Sequence, residues 1–363
     1  MINKTSLTID EDLLAALAQS VPGEKTPLSL LSTNQNDVGT DKMSRLRTAG
    51  VTTDSDRVRP EYIQMLDTIA KTRNVASLKY TAGSRLYEFV TSFPEASDKQ
   101  SVSVLRDANK LIIESPSAVE DAFTLIDQNI GHSRLASSNF SERLTVEEAL
   151  DVFALMDLVR SSILRAIADE TDLKTLTFDL QAITKKALNQ KETIQSLTYV
   201  LKSKLKLSAP PTTNQIKAGL KSLVNKKMVT QENDKYKLND ALNHFAGRLT
   251  VIDNLVSVDA GRFTDDNRLL NANFTALQSG VNDILYFENH INEIVVKSIP
   301  AMALVGLVAK FLNEPDAIKL ASPLKTNPTT TESATTKKYC QQCGAPLGIV
   351  AKFCERCGTK TGN

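Results

Sequence analysis

The longest periodic pattern of apolar residues in the chain runs from residue 144 to residue 170. Apolar side chains recur there every three or four positions, the spacing that places them on one face of a helix. They are Leu144, Val146, Leu150, Val152, Phe153, Leu155, Met156, Val159, Ile163, Leu164 and Ile167. Thr145, followed by Glu147 and Glu148, has the character of an N-cap with acid in the first turn. The pattern therefore predicts one long helix.

The segments on either side of this helix have a similar order of elements. In the first, two strands around the turn at 107–110 precede a predicted helix over 118–130. In the second, two strands around the turn at 279–282 precede a predicted helix over 291–299. The apolar run 298–309 predicts a buried helix, and it is too short to span a bilayer.

Short phrases also repeat between the two segments. Leu7-Thr8-Ile9-Asp10 opens the first and Leu176-Thr177-Phe178-Asp179 opens the second, and the helical phrases 43–52 and 220–230 end alike. We interpret this as an eroded internal duplication. The predicted fold is an α+β body whose two related halves, 1–143 and 173–320, are joined by the long helix 144–172.

A winged-helix pattern lies within the second half, over 197–239. It consists of two predicted helices separated by the turn 208–213, and then a candidate wing over 228–238. The second helix and its end carry Lys217, Lys221, Lys226 and Lys227. In a DNA reader such a helix enters the major groove and its lysines meet phosphates. The alternative is that the lysines form a solvated face. In either case substituting all four should leave the fold intact, because Ile216, Leu220 and Leu223 are expected to supply the buried side of the helix.

All four cysteines lie in the last 24 residues, as Cys340, Cys343, Cys354 and Cys357. Their spacing, two C-x-x-C turns separated by ten residues, supplies four thiolates to one tetrahedral Zn²⁺. Four thiolates close the coordination shell, so we expect one structural zinc ion. Before the cysteines lies a polar stretch without aromatic residues, which predicts a flexible linker over 321–338 and a separate zinc module over 339–363.

Charge and composition limit the classes of function that the chain can have. The net charge is +1, divided as −5 over residues 1–150, +2 over 151–320 and +4 over 321–363, which argues against a wholly basic nucleic-acid-binding protein. The chain shows no secretory leader, so a cytoplasmic location is expected. His132, His244 and His290 are isolated, and no phosphate-binding or metal-protease motif is present. We therefore expect a protein without enzymatic activity.

Two resemblances extend this interpretation. The matching turns 338–344 and 352–358 resemble those of zinc ribbons. The opening Leu7–Asp10, the turn Leu46–Val51 and the helix start Arg59-Pro60-Glu61-Tyr62 make the body, over about residues 1–315, similar to EspG-type chaperones of ESX (type VII) secretion. That resemblance implies a two-halved α/β fold that holds export clients in the cytosol. The second half departs from it, because Lys226-Lys227-Met228 stands where a glycine turn is expected.

The sequence thus favours a zinc-binding adaptor or chaperone-like protein that binds a protein partner, with the zinc module as a second contact. The alternative is a transcriptional regulator that binds DNA through 197–239. No membrane span is expected in either case.

Overall fold

The computed structural model of the protein has a mixed α+β architecture, as the sequence predicts. It describes residues 4–32, 39–94, 100–173, 176–188, 192–205, 210–266, 268–290 and 293–313. The predicted linker 321–338 and zinc module 339–363 lie outside the described residues.

Thirteen strands form two antiparallel sheets in the described part of the chain. The strands are β1 (Thr5–Asp10), β2 (Asn74–Ala82), β3 (Arg85–Phe93), β4 (Val102–Asp107), β5 (Lys110–Ser115), β6 (Ser141–Leu144), β7 (Phe178–Asp179), β8 (Val229–Glu232), β9 (Lys235–Leu238), β10 (Asn254–Phe263), β11 (Leu269–Ser279), β12 (Asp283–Asn289) and β13 (Ile294–Ser298). The large sheet has the order β1-β5-β4-β3-β2-β10-β11-β12-β13-β6, and the small one has the order β7-β9-β8.

Ten α-helices are present in the same residues, with a short 3-10 helix over Glu11–Leu13. The helices are α1 (Leu14–Ser20), α2 (Thr40–Thr48), α3 (Pro60–Lys71), α4 (Val119–Ile130), α5 (Val146–Ala168), α6 (Leu180–Ala187), α7 (Leu197–Leu205), α8 (Thr213–Asn225), α9 (Asp240–Arg248) and α10 (Ala301–Asn313).

The large sheet has the same connectivity on both sides of its centre. β2 and β10 pair in the middle, three consecutive strands follow outward on each side, and the outermost strand is one that precedes them in the chain. Helix α4 follows β5 and helix α10 follows β13 in the chain. The two helices pack against each other and share one apolar core with the middle strands. A second core lies around α5 at one end of the sheet, and a third lies around α1 and α3 at the other end.

The structure differs from the sequence interpretation in how the two halves meet. Residues 141–143, which we assigned to the first half, pair with β13 of the second. The two Leu-Thr phrases also lie in different sheets, because Leu7–Asp10 belongs to β1 whereas Phe178–Asp179 forms β7. The strand that occupies the position of β1 at the opposite edge is β6.

The helix predicted over 291–299 is wrong, because residues 294–298 form β13. Ile294, Val295 and Val296 are buried in succession while β13 pairs with β12 on one side and β6 on the other. A run of β-branched residues fits a strand that is covered on both faces. The helix that follows is α10, which confirms a helix in the apolar run 298–309, although it is buried on one side only and leaves Met302 48% exposed. Within the described residues, no helix combines the length and hydrophobicity needed to cross a membrane.

Candidate functional site

The predicted winged-helix elements lie where the sequence places them. α7, α8 and the β8–β9 hairpin follow in order, and β7 adds a third strand beside β9. α8 begins at Thr212, whose hydroxyl accepts a hydrogen bond from Gln215 N–H while the Gln215 side chain binds back to Thr212. Ile216, Leu220 and Leu223 are buried, so the opposite side of α8 faces outward.

The four candidate lysines are not equivalent. Lys217 and Lys221 lie on the exposed side of α8, and the described residues provide no ion-pair partner for either. The Lys226 ammonium, in contrast, lies 2.7 Å from Glu148 Oε2 and donates to the Arg143 carbonyl at 3.0 Å. Lys227 follows the helix with a positive φ of 58°, and its carbonyl accepts from Asn239 Nδ2. Lys226 is therefore held in a structural ion pair, whereas Lys217, Lys221 and Lys227 are exposed and have no ion-pair partner among the described residues.

The tip of the wing has the wrong charge for a phosphate contact. Glu232, Asn233 and Asp234 form the exposed turn between β8 and β9. Asn233 and Asp234 both have positive φ, which suits the tight two-residue turn of such hairpins. Lys235 lies opposite Glu232, so the tip keeps one excess negative charge, which disfavours contact with a DNA backbone.

A buried carboxylate cluster lies behind α8, and the sequence analysis did not identify it. Glu148 of α5 accepts hydrogen bonds from Thr145 N–H and the Ser222 hydroxyl as well as from Lys226. Burial opposes its ionisation, but these donors hold its pKa below the ordinary value. The Thr145-x-x-Glu148 spacing, which forms a capping box, is the sequence signal that could have identified this carboxylate.

Asp151, one turn further along α5, is fully buried at the contact with α8. Within the described residues neither of its carboxyl oxygens has a well-formed hydrogen bond. Burial and the nearby charge of Glu147 raise its pKa to about 9, and the Leu220 N–H offsets this only in part. Asp151 therefore retains its proton at neutral pH in the folded chain.

A second feature is a set of four exposed apolar side chains on segments that hydrogen bonds connect, which we call the apolar end surface. Its members are Leu86 (56% exposed), Leu164 (42%), Ile167 (67%) and Val251 (49%). Leu86 lies beside the β2–β3 turn, and Gly83 N–H in that turn donates to the Asp253 carbonyl at 3.2 Å. Val251 lies two residues before Asp253. These contacts bring the hairpin tip and the 249–253 loop together.

A buried ion pair fixes this loop to α5. Arg160 lies 2.9 Å from Asp157, and its guanidinium also donates to the carbonyls of Leu249 and Thr250. Asp157 in turn accepts from the Leu197 N–H at 3.0 Å and so caps the start of α7. Leu164 and Ile167 lie one and two turns beyond Arg160 on α5. The apolar end surface is therefore carried by three segments that are held together by hydrogen bonds.

The histidines do not form a catalytic group in the described part of the chain. His132 lies 3.1 Å from Asp127 and His290 lies 3.1 Å from Glu288, while His244 is exposed on α9. No three His, Cys, Asp or Glu side chains of the described residues are arranged to hold a metal ion. Cys340, Cys343, Cys354 and Cys357 lie outside those residues, so the zinc site stays a prediction.

Comparison with known proteins gives no family: no protein-family model matches the chain, and no curated protein has a significantly similar sequence.

Proposed function

We propose that the protein is a non-catalytic, zinc-binding adaptor or chaperone-like protein that binds a protein client through the apolar end surface. The observation that supports this is the grouping of Leu86, Leu164, Ile167 and Val251 on segments that contact one another. Single exposed apolar residues are ordinary on a protein surface, but a group of them is typical of a binding site. In this proposal the chain acts in the cytoplasm, and an export client is the first candidate.

The buried network beneath the surface supports the same function. Arg160 and Asp157 are almost wholly withdrawn from solvent and hold the 249–253 loop and the start of α7 to one helix. A surface that is ordered before binding costs less conformational entropy when a partner docks. The zinc module, held by Cys340, Cys343, Cys354 and Cys357, would provide the tethered second contact.

The proposal is tested by affinity purification of the tagged full-length chain from cells that make it naturally, with and without nuclease. The test variant is Leu86→Ser/Val251→Ser, and the matched control is Leu135→Ser/Val281→Ser, which removes two even more exposed apolar side chains elsewhere. We expect one protein to co-purify with the wild type and the control, to resist nuclease, and to be lost with the test variant. Loss in both variants, or release by nuclease, contradicts the proposal.

The alternative function, DNA binding, is favoured by one observation, the exposed and unpaired Lys217 and Lys221 on α8. Changing both to Gln should then flatten the salt dependence of duplex binding by about two units, one for each lost phosphate contact. Lys226 is left intact in this test because it neutralises Glu148. We favour the adaptor, since the wing tip is acidic; absence of duplex binding at micromolar protein supports that choice, and nanomolar binding overturns it.

We infer further that the two halves descend from a duplication. The ends of α2 and α8 support this inference, because the same backbone bonds close both. Val51 N–H donates to Leu46 and Met228 N–H donates to Leu223, each at 3.0 Å. Arg59 N–H then donates to the Val51 carbonyl, and in the same way Asn239 N–H donates to the Met228 carbonyl.

A further inference from the structure

The large sheet has two edge strands, β1 and β6. They differ in whether a side chain forms a hydrogen bond with their outward backbone groups. In a sheet edge the outward N–H and C=O groups have no strand partner. On β6 the Arg143 carbonyl points outward and accepts a hydrogen bond from Lys226 Nζ at 3.0 Å. Lys226 is held in place by Glu148. The side chain of Lys226, the residue after α8, therefore covers this edge at Arg143.

The position that corresponds to Lys226 beside β1 is occupied by alanine. The matching backbone bonds at the ends of the two helices make Val51 the counterpart of Met228, and they make Ala49 the counterpart of Lys226. The N-caps that follow the edge strands are Asp10 and Thr145. Aligning them makes Thr8 the counterpart of Arg143 and Leu13 that of Glu148. The counterparts of Lys226 and Glu148 at the β1 edge, Ala49 and Leu13, are therefore both apolar.

The backbone of Thr8 points away from the sheet. Glu11 N–H donates to the Asn109 carbonyl at 2.7 Å, in the register that continues the β1–β5 pairing. Because hydrogen-bonded pairs alternate along an antiparallel ladder, Ile9 and Leu7 face β5, whereas Thr8 and Asp10 direct their backbone groups outward. Within the described residues no group forms a hydrogen bond with the Thr8 backbone.

A cavity of about 370 Å³ lies beside this edge, between β1 and α2. Leu13 and Ala49 give it an apolar floor, and Lys110 contributes an exposed ammonium group for which the described residues provide no ion pair. The other lining residues are Thr8, Ile9, Asp10, Ser44, Arg45 and Thr48. Arg45 is already occupied by Asp10 and Asp12. Lys110 is therefore the charged lining residue without an ion pair in the described part of the chain, and it lies opposite Asp10 in the β1–β5 pairing.

We propose that the groove between β1 and α2 binds an extended segment of a partner protein, which adds to the large sheet as a further strand. Outward groups along a strand repeat every 6–7 Å or so, a spacing that an extended chain matches and a helix does not. The segment places a small apolar side chain over Leu13 and Ala49 and an acidic one near Lys110. The edge of a second copy fits less well, since its own α2 borders its β1. This site is separate from the apolar end surface and stands without it.

The proposal is tested with the full-length protein and a phage-displayed library of random heptapeptides. Peptides selected on the wild type are synthesised, and their affinities are measured by fluorescence anisotropy against three variants. Thr8→Pro removes the outward N–H without breaking a bond to β5, and Thr8→Val is its matched control. Ala49→Lys introduces a lysine into the groove at the position that corresponds to Lys226, the lysine that covers the β6 edge.

We expect the selected peptides to carry an acidic residue, to bind Thr8→Val as they bind the wild type, and to bind Thr8→Pro and Ala49→Lys about tenfold more weakly. Failure to select any peptide, or equal binding to Ala49→Lys, overturns the proposal. If Thr8→Pro does not fold, Ala49→Lys still decides. Hydrogen exchange of the two outward amides, Thr8 and Asp10, adds one more outcome. Protection of these amides in the free wild type that is lost in Ala49→Lys would show that a second copy or the chain's own segment fills the groove, which also overturns the proposal.

Discussion

At the scale of single residues, Asp151 is a carboxyl group that folding buries without a counter-charge among the described residues. Its pKa is about 9 in the folded chain, against an ordinary value of 3.8. The folded state therefore binds a proton that the unfolded state releases between these two values. The free energy of unfolding that this group contributes is fully present below about pH 4. It is lost as the pH rises from there toward 9, by at most about 1.4 kcal/mol per pH unit, because the unfolded chain releases the proton that the folded chain keeps.

Replacing Asp151 with Asn should remove this dependence, because the amide keeps the shape and has no proton to lose. We expect Asp151→Asn to be more stable than the wild type near pH 8 and nearly equal to it near pH 4. Urea unfolding at several pH values measures the difference, with Asp54→Asn in an exposed turn as the control. Parallel curves for the wild type and Asp151→Asn would show that the carboxyl group is ionised in the folded chain.

Lys226 behaves differently from the other lysines of the winged-helix-like segment. Its ammonium is the charge partner of Glu148, whose side chain is 2% exposed. Lys226→Gln leaves that carboxylate buried without a counter-charge and should destabilise the fold by about 1–3 kcal/mol. Lys221→Gln, on the exposed side of α8, should change it by no more than about 0.5 kcal/mol. Equal unfolding midpoints for the two variants would refute the structural role of Lys226, and would restore the expectation that all four lysines are only a solvated face.

At the scale of elements, the contact between α5 and α8 depends on Gly219. A Cβ there would lie 2.3 Å from Asp151 Oδ2 and 3.1 Å from the backbone carbon of Glu147. The two helices approach so closely because one of them has no side chain at that point.

Gly219→Ala should therefore destabilise the protein by about 1–3 kcal/mol, since the clash outweighs the better helix propensity of alanine. Gly306→Ala is the matched control, because a Cβ at Gly306 in α10 meets no atom within 4 Å. That change should stabilise the chain by up to about 1 kcal/mol. Thermal unfolding of both variants checks the pair, and a shift of the same sign in both would contradict this packing.

Sequence patterns predicted the elements that are fixed locally. The N-cap Thr145, the helix α5 and the order of α7, α8 and the wing all follow from spacing within a few residues. β13 was taken for a helix because its burial depends on partners 5 and 150 residues away in sequence, such as Asn289 and Leu144 for Ile294. The pairing of β1 with β5 and of β6 with β13 is similarly non-local.

The features of the candidate sites also differ in whether a local sequence pattern could predict them. The exposure of Lys217 and Lys221 was predictable from helix periodicity. The Lys226–Glu148 pair and the apolar end surface were not, because each joins segments separated by about 80 residues or more. Such contacts become visible only once the sheet brings the segments together.

At the scale of the whole molecule, the zinc module is predicted to depend on its own four cysteines. The wild-type chain should contain one zinc ion, measured by elemental analysis, and Cys343→Ser should lose it. Structural zinc supplies the folding energy of such small modules. Unfolding of the residues up to 313 should keep the same midpoint in Cys343→Ser, because their cores contain no cysteine. Full zinc content in this variant would exclude the proposed ligand set.

The central claim is that the apolar end surface binds a protein client. Site-specific photo-crosslinking in the native cell tests it most directly, with a photoreactive phenylalanine analogue placed at Leu86 or Val251 and, as controls, at Leu135 or Val281. All four positions are exposed, so each accepts the larger side chain without disturbing a core. We predict one discrete protein adduct from positions 86 and 251 and none from 135 and 281. Adducts of the same partner from all four positions, or none from 86 and 251 while the client still co-purifies, would contradict the account.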